Sequence, residues 1–254
     1  MFRIVLKTIG ITLLIAYLAV CGWVWRLGQP EMVYREVRVV ICDSTDTQFI
    51  DAEDILQVVF GKDKALNPVG RKAAQFNAYQ LQQVLEQNTL IAQADCYPTP
   101  DSTLRIDIYQ RKPILRIKSD KLTHDCYLDR EGELMQYKPS LRAVEVPVAT
   151  GHITREIATG PLYDLARFLR KHKRWSSDIV QIHVEKNGDF LLVPRKGSHV
   201  ILLGPADDLE TKFDNLDTFY RKVLDKKGWN LYQKINLKFK GQVVAEKKQQ
   251  NNNI

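Results

Sequence analysis

Residues 76–113 read FNAYQLQQVLEQNTLIAQADCYPTPDSTLRIDIYQRKP, and the periodicity of this stretch changes once along its length. Asn77 is an N-cap residue with Gln80 three positions on as its capping-box partner, and Phe76 and Leu81 stand where a hydrophobic staple belongs. Leu81, Val84 and Leu85 then form a helical stripe, and Asn88 suits a left-handed C-terminal position. After it the period falls to two. Leu90 to Tyr97 and Thr103 to Tyr109 read as strands joined across Pro98-Thr99-Pro100-Asp101, whose prolines fix backbone torsions, and Leu104, Ile106 and Ile108 supply one apolar face.

Upstream, Val37, Val39 and Ile41 alternate with Arg38, Val40 and Cys42 as in a half-buried strand. A first helix follows, with Asp51 as N-cap, Ile50 and Ile55 as its staple, Ile55, Val58 and Val59 on one face and Gly61 as the stop. The order is strand, helix, helix, strand, strand. Earlier still, the uncharged run from Thr8 to Trp25 would span roughly 27 Å as a helix, enough to cross a bilayer. Lys7 and Arg26 bracket it, Trp23 and Trp25 suit an interfacial belt, and the basic flank of Arg3 and Lys7 predicts a cytoplasmic N-terminus. A cleaved signal peptide lacks a small-x-small site here. A lipoprotein reading rests on Leu18-Ala19-Val20-Cys21, where Val20 fits poorly, so the uncleaved helix is preferred.

Past Pro113 the pattern is again mixed. Ile114 to Ile117 and Cys126 to Gly132 read as strand, turn, strand. Leu162, Leu165, Ala166 and Leu169 repeat at helical spacing after Gly160-Pro161, and Leu209, Phe213, Leu216, Tyr220 and Val223 do so in a longer helix. Between them Lys186-Asn187-Gly188-Asp189 and Lys196-Gly197-Ser198 are hairpin signals. The last strand is expected from Lys234 to Val244, with Ile235, Leu237 and Phe239 on the core and Lys234, Asn236, Lys238 and Lys240 opposite. Residues 246–254 are polar and repetitive, as a disordered tail would be.

The chain has 254 residues, 44% of them apolar and 26% charged, which suits folded domains and argues against a disordered or fibrous chain. Its net charge of +7 is scattered, so composition does not point to nucleic acid. Cys42, Cys96 and Cys126 lie far apart with no C-x-x-C pair, and buried, inert thiols are expected. His124, His152, His172, His183 and His199 show no ligand spacing, so surface or partly buried roles are expected of them. There is no P-loop, G-x-G-x-x-G or G-x-S-x-G motif. Asp43 with Asp46 and Asp207 with Asp208 suit turns and helix starts, and Asp129 with Gly132 suits a tight turn. Arg111 is expected to fix a domain junction by pairing with a carboxylate. Catalytic, cofactor and metal sites are therefore not expected.

A single N-terminal helix followed by this βααββ order resembles the POTRA domain of FtsQ/DivIB bacterial cell-division proteins. Leu81, Leu85 and Ile91 carry the likeness, with Leu104-Arg105-Ile106 running into Gln110-Arg111-Lys112-Pro113, which is similar to the family's (Glu or Gln)-Arg-x-Pro signature at the domain exit. The Tyr-x-Asp-x-x-Gly spacing from Tyr127 to Gly132, Val146 to Gly151, and Leu202-Leu203-Gly204 before the helix carrying Lys212, Phe213 and Leu216 are similar to its second domain.

The expected fold is α+β: cytoplasmic tail 1–7, transmembrane helix 8–27, linker 28–35, POTRA-like βααββ domain 36–112, mixed or antiparallel β domain with packed helices 113–245, tail 246–254. The resemblance implies a non-catalytic, cofactor-free scaffold at the division site of the inner membrane, single-pass with its C-terminus periplasmic. Its implied partners are the small bitopic coiled-coil proteins FtsB and FtsL, with no nucleic acid or small-molecule substrate. It also implies that the region of Ile235, Asn236, Leu237, Lys238, Phe239, Lys240 and Gly241 offers a strand edge to FtsB, although Asn236, Lys238 and Phe239 depart from the family's Ile-Asp-Leu-Arg-Tyr pattern. Lysines on an edge strand equally serve to block pairing. The rival reading is a membrane-anchored envelope enzyme or lipoprotein with a dispersed site.

Overall fold

The computed structural model describes residues 13–24, 31–42, 50–61, 63–136 and 144–248. Residues 13–24 form a helix (α1) whose apolar side chains are exposed. It falls inside the expected anchor, whose residues 8–12 and 25–27, like the flanking Arg3 and Lys7, lie outside the described residues. Among the described residues no helix is long and apolar enough to cross a membrane.

The linker expected over 28–35 is, from Glu31 on, part of the first domain. Tyr34 is buried and packs edge-to-face on Phe76 with ring centroids 5.7 Å apart. β1 (Glu36–Ile41), α2 (Ala52–Val59), α3 (Ala78–Glu86), β2 (Ile91–Pro98) and β3 (Thr103–Gln110) follow in the expected order. The staple pair Ile50 and Ile55 is buried, while Val58, expected on the same face, is exposed. Asn77 Oδ1 accepts from the Gln80 N–H at 3.0 Å, so the cap forms as the sequence predicts. Asn88 is not left-handed. Its Oδ1 accepts from the Leu90 N–H at 3.1 Å, which turns the chain into β2 without a positive φ.

The sheet order is β1-β3-β2, with β1 parallel and β2 antiparallel to the central strand. Parallel β1 and β3 cannot share a hairpin, and the two helices fill the crossover between them. Leu104, Ile106 and Ile108 on β3 are fully buried with Leu81 and Leu85. Each such side chain contributes about 1.5–3 kcal/mol by leaving water.

Among the described residues the second domain is built on one nine-stranded mixed sheet. Its strands are β4 (Pro113–Ser119), β5 (Cys126–Asp129), β6 (Leu134–Gln136), β7 (Val148–Gly151), β8 (Ile179–Val184), β9 (Phe190–Pro194), β10 (Val200–Gly204), β11 (Tyr232–Asn236) and β12 (Val244–Lys247), in the order β12-β11-β10-β9-β8-β7-β4-β5-β6. Parallel neighbours β7/β8 and β10/β11 require crossovers. α4 (Arg155–Thr159), α5 (Pro161–Lys171) and α6 (Lys173–Asp178) supply the first, and α7 (Leu209–Phe219) with a π-helical extension over Tyr220–Leu224 supplies the second. Pro161 opens α5 at its first turn, where its missing N–H leaves no intrahelical bond unmade. Leu162, Leu165, Phe213 and Leu216 pack on Ile117, Ile182, Leu192 and Ile201 of one sheet face. Both hairpin signals are hairpins, with Gly188 and Gly197 at positive φ.

Four further expectations change. Cys126 is buried and burial pushes its thiol to about 11, and the Cys96 thiol is pushed to about 12 mainly by burial, but Cys42 is exposed. His199 is buried. The expected single last strand is a hairpin: β11 stops at Asn236, whose Oδ1 takes the Lys238 N–H at 2.9 Å, and the chain reverses through Phe239 to Gln242 with Gly241 at φ +72°. An Asn side chain that caps the next backbone donor ends a ladder, and Gly at positive φ closes the turn. Glu246 and Lys247, expected in a disordered tail, belong to β12.

Candidate protein-binding surface

The candidate partner segment divides between three environments. Ile235 and Leu237 are core side chains, as their alternation predicts, but Phe239 is 53% exposed at the hairpin tip. β11 carries both of its neighbours. Its residues Lys234, Ile235 and Asn236 pair with Val200, Ile201 and Leu202 of β10 on one side and with Glu246, Ala245 and Val244 of β12 on the other. No third strand can add there, because both rows of main-chain donors and acceptors are engaged. Among the described residues β12 has an open edge, at the end of the sheet order. At the opposite end, β6 is only three residues long, and the Gln136 N–H donates to Thr89 Oγ1 of the first domain at 3.2 Å.

The expected row of cations is interrupted as well. Lys238 lies with its stem against Gly204, and its Nζ bonds Asp189 Oδ2 at 2.6 Å, where Asp189 is buried. It therefore ties the hairpin to the β8–β9 turn. Lys234 and Lys240 are exposed. On the sheet face away from the helices, a groove of about 600 Å³ lies over β9, β10 and β11 and reaches β12 at Glu246, lined by Leu191, Val200, Leu202 and Lys234 among others.

Arg111 and Asp129 meet as expected of a domain junction. Arg111 Nη1 lies 2.7 Å from Asp129 Oδ2, whose side chain is fully buried. Asp129 Oδ1 also accepts from the N–H groups of Glu131 and Glu133 at 3.0 and 2.7 Å, so the same carboxylate closes the tight turn ending at Gly132. Tyr127 and Met135 of the second domain are members of the first domain's core, so the two units share apolar packing. Sequence reasoning did not anticipate these two as junction residues. Their signal was faint, because an alternating strand does not reveal which domain each face meets.

Asp207, Asp208 and His199, also singled out in the sequence, have structural partners. Asp207 pairs with Lys212, which holds its carboxyl below the ordinary range. Asp208 is the N-cap of α7 and accepts from Thr211 Oγ1 at 2.7 Å. His199 Nε2 lies 2.8 Å from the Tyr220 hydroxyl, and burial pushes the ring's pKa down. Among the described residues no group of three or more His, Cys, Asp or Glu is placed to hold a metal. Asp43 and Asp46 lie outside the described residues.

A three-stranded sheet under two helices, joined through a shared core to an open mixed sheet with a short terminal edge strand, defines a two-domain α+β protein. The first unit is matched over residues 33–109 by a family model described as a POTRA-like domain. Residues 112–246, more than half the chain, are matched by a model described as FtsQ/DivIB, C-terminal related. The chain belongs to the FtsQ/DivIB family of cell-division proteins. No curated protein sequence matches it significantly.

Proposed function

We propose that this protein is a non-catalytic, single-pass membrane scaffold of the bacterial division machinery that binds FtsB-like and FtsL-like coiled-coil proteins outside the cytoplasm, by strand addition at the β12 edge. The observation that carries this reading is that, among the described residues, β12 ends the sheet with one edge unpaired, which leaves main-chain donors and acceptors for an added strand. It moves the pairing strand from the expected residues 235–241 to Val244–Lys247 and leaves Phe239 as an exposed apolar contact beside it. Support for the anchor is the uncharged run from Thr8 to Trp25 with its basic flank. Support for a role without chemistry is that Asp129, Asp207, Asp208 and His199 are engaged in turns, caps and core bonds.

Successive N–H groups of an edge strand point alternately inward to the ladder and outward. Of Ala245→Pro and Glu246→Pro, one therefore removes a bond to β11 and lowers the melting temperature, while the other removes only the outward donor. The variant that melts like wild type should bind purified FtsB-like partner at least ten-fold more weakly. Wild-type affinity in that folded variant would refute the β12 site. Lys238→Glu is unsuitable as a partner probe, because it places a second carboxylate against Asp189. A fluorescent fusion should form a mid-cell band, and uniform envelope staining throughout the cycle would count against the division role.

A further inference from the structure

A second surface lies by β4 and β5, at the other end of the strand order from β12. A slot of about 310 Å³ opens between the start of β4, the segment 145–147 and the last turn of α5. Its lining is about half polar: Ile114, Leu115, Val146 and Leu169 form the apolar part, and Arg130, Arg170 and Glu145 the charged part. Among the described residues neither guanidinium forms an ion pair. Burial first, and then the charge of Arg130, push the pKa of Arg170 down from its ordinary value against an opposing pull from Glu131 and Tyr163, so the two guanidinium groups lie near enough to act on one another. A helix C-terminus favours a cation and accounts for Arg170, but Arg130 is on a β-turn.

The two arginines stand on fixed supports. The Asp129 carboxylate bonds the backbone of the turn that carries Arg130, and the Tyr163 hydroxyl of α5 donates to the Arg130 carbonyl at 2.9 Å. Gly132, at φ +90°, sits where a Cβ would lie 3.4 Å from the Tyr163 ring. Turn and helix are thus locked together, and with them the two cations, which is the preorganisation that anion recognition needs.

We infer that this slot docks a carboxylate-bearing aliphatic peptide segment of a partner protein, with the acidic side chain between Arg130 and Arg170 and a neighbouring aliphatic side chain against the half-buried Val146 and Pro147. Charge selects the carboxylate. Glu145 lines the slot and Glu131 beside it also acts on Arg170, so the local field is only weakly positive; what the slot offers is two guanidinium groups that, among the described residues, have no ion-pair partner, which suits one carboxylate better than a phosphate dianion. The planar fork of a guanidinium fits a carboxylate bidentately. At about 310 Å³ the slot has room for one or two side chains and not for a packed helix. This site is independent of strand addition at β12, and either can fail without the other.

The test uses the full chain in neutral maltoside micelles with labelled Leu and Ala methyl groups. The probe is acetyl-Leu-Glu-Leu-amide, run beside its Gln analogue, inorganic phosphate, and micelles doped with anionic lipid. Saturable shifts at Leu169 and Ala166 are expected with the Glu peptide, at least ten-fold weaker with the Gln peptide. In Arg130→Gln and in Arg170→Gln, each with wild-type melting, binding of the Glu peptide should fall about ten-fold, as expected for one charge-assisted contact. Should either variant fail to fold, the Glu-to-Gln comparison on the native protein decides. Equal binding of the two peptides, wild-type binding in the folded Gln variants, no saturation, or a stronger response to phosphate or anionic lipid would each overturn the inference.

Discussion

Replacing Arg111 by Ala leaves the Asp129 carboxylate fully buried with no cation, although the N–H groups of Glu131 and Glu133 still bond it. Removing one partner of a buried ion pair costs about 3–5 kcal/mol. The Arg111 side chain is 22% exposed, so water reaches that end and the lower figure, about 3 kcal/mol, applies here. For a folded region of this size that is a fall of roughly 6–12 °C in melting temperature. Because Tyr127 and Met135 bury themselves in the first domain's core, one shared transition should move, not one of two. The diagnostic comparison is the double variant Arg111→Ala/Asp129→Asn. Asn keeps an oxygen for the two turn N–H groups and removes the orphaned charge, so the double variant should melt a few degrees above Arg111→Ala alone. Circular dichroism melts of the full chain measure both. A drop under 2 °C in the single variant, or a double variant that melts no higher, would refute the assignment of this pair as the electrostatic lock of the junction.

Two other outcomes follow from the same geometry. Gly151→Ala should destabilise by more than roughly 4 kcal/mol, since a Cβ at φ +99° would lie 2.2 Å from the Val184 carbonyl oxygen, whereas Gly188→Ala, at φ +86° but in open space, should cost only about 1 kcal/mol; paired denaturant titrations test the contrast. His199 has a folded pKa below its unfolded value, so its contribution is complete above about pH 6.5 and is lost as pH falls from there through the folded value. Asp178, near Tyr220 and raised mainly by burial, acts with the opposite sign, so the informative quantity is wild type minus His199→Gln, whose stability difference should shrink between pH 7 and pH 5 if the buried neutral imidazole is responsible.

Most of the local chemistry was legible in the sequence. Asn77 caps α3, Pro161 opens α5, Gly188 and Gly197 turn their hairpins, and Asp129 closes its turn, each because a side chain acts on backbone a few residues away. Arg111 was readable as a junction residue from its type and place, and the apolar faces of β3, α5 and α7 followed from their periods. The course of the chain around the proposed partner surface was legible only in outline. The pattern from Lys234 to Lys240 continues past the true end of β11, and Asn236 with Gly241 carried a turn signal that strict alternation concealed.

By itself the sequence determined which residues face a core, where short turns and helix starts fall, and that two α+β units follow one another. The tertiary structure alone decided that β11 is flanked on both sides, that β12 has an open edge among the described residues, that Lys238 is held by Asp189, and that Arg130 and Arg170 share one slot. The physical reason is the range of the interactions. A period of two or 3.6 reports which side of an element is apolar, because burial acts residue by residue along the chain. Which strand pairs with which, and which charges come together, depends on contacts between residues distant in sequence, such as Lys238 with Asp189 and Asn236 with both Leu202 and Val244, and those exist only once the sheet has assembled.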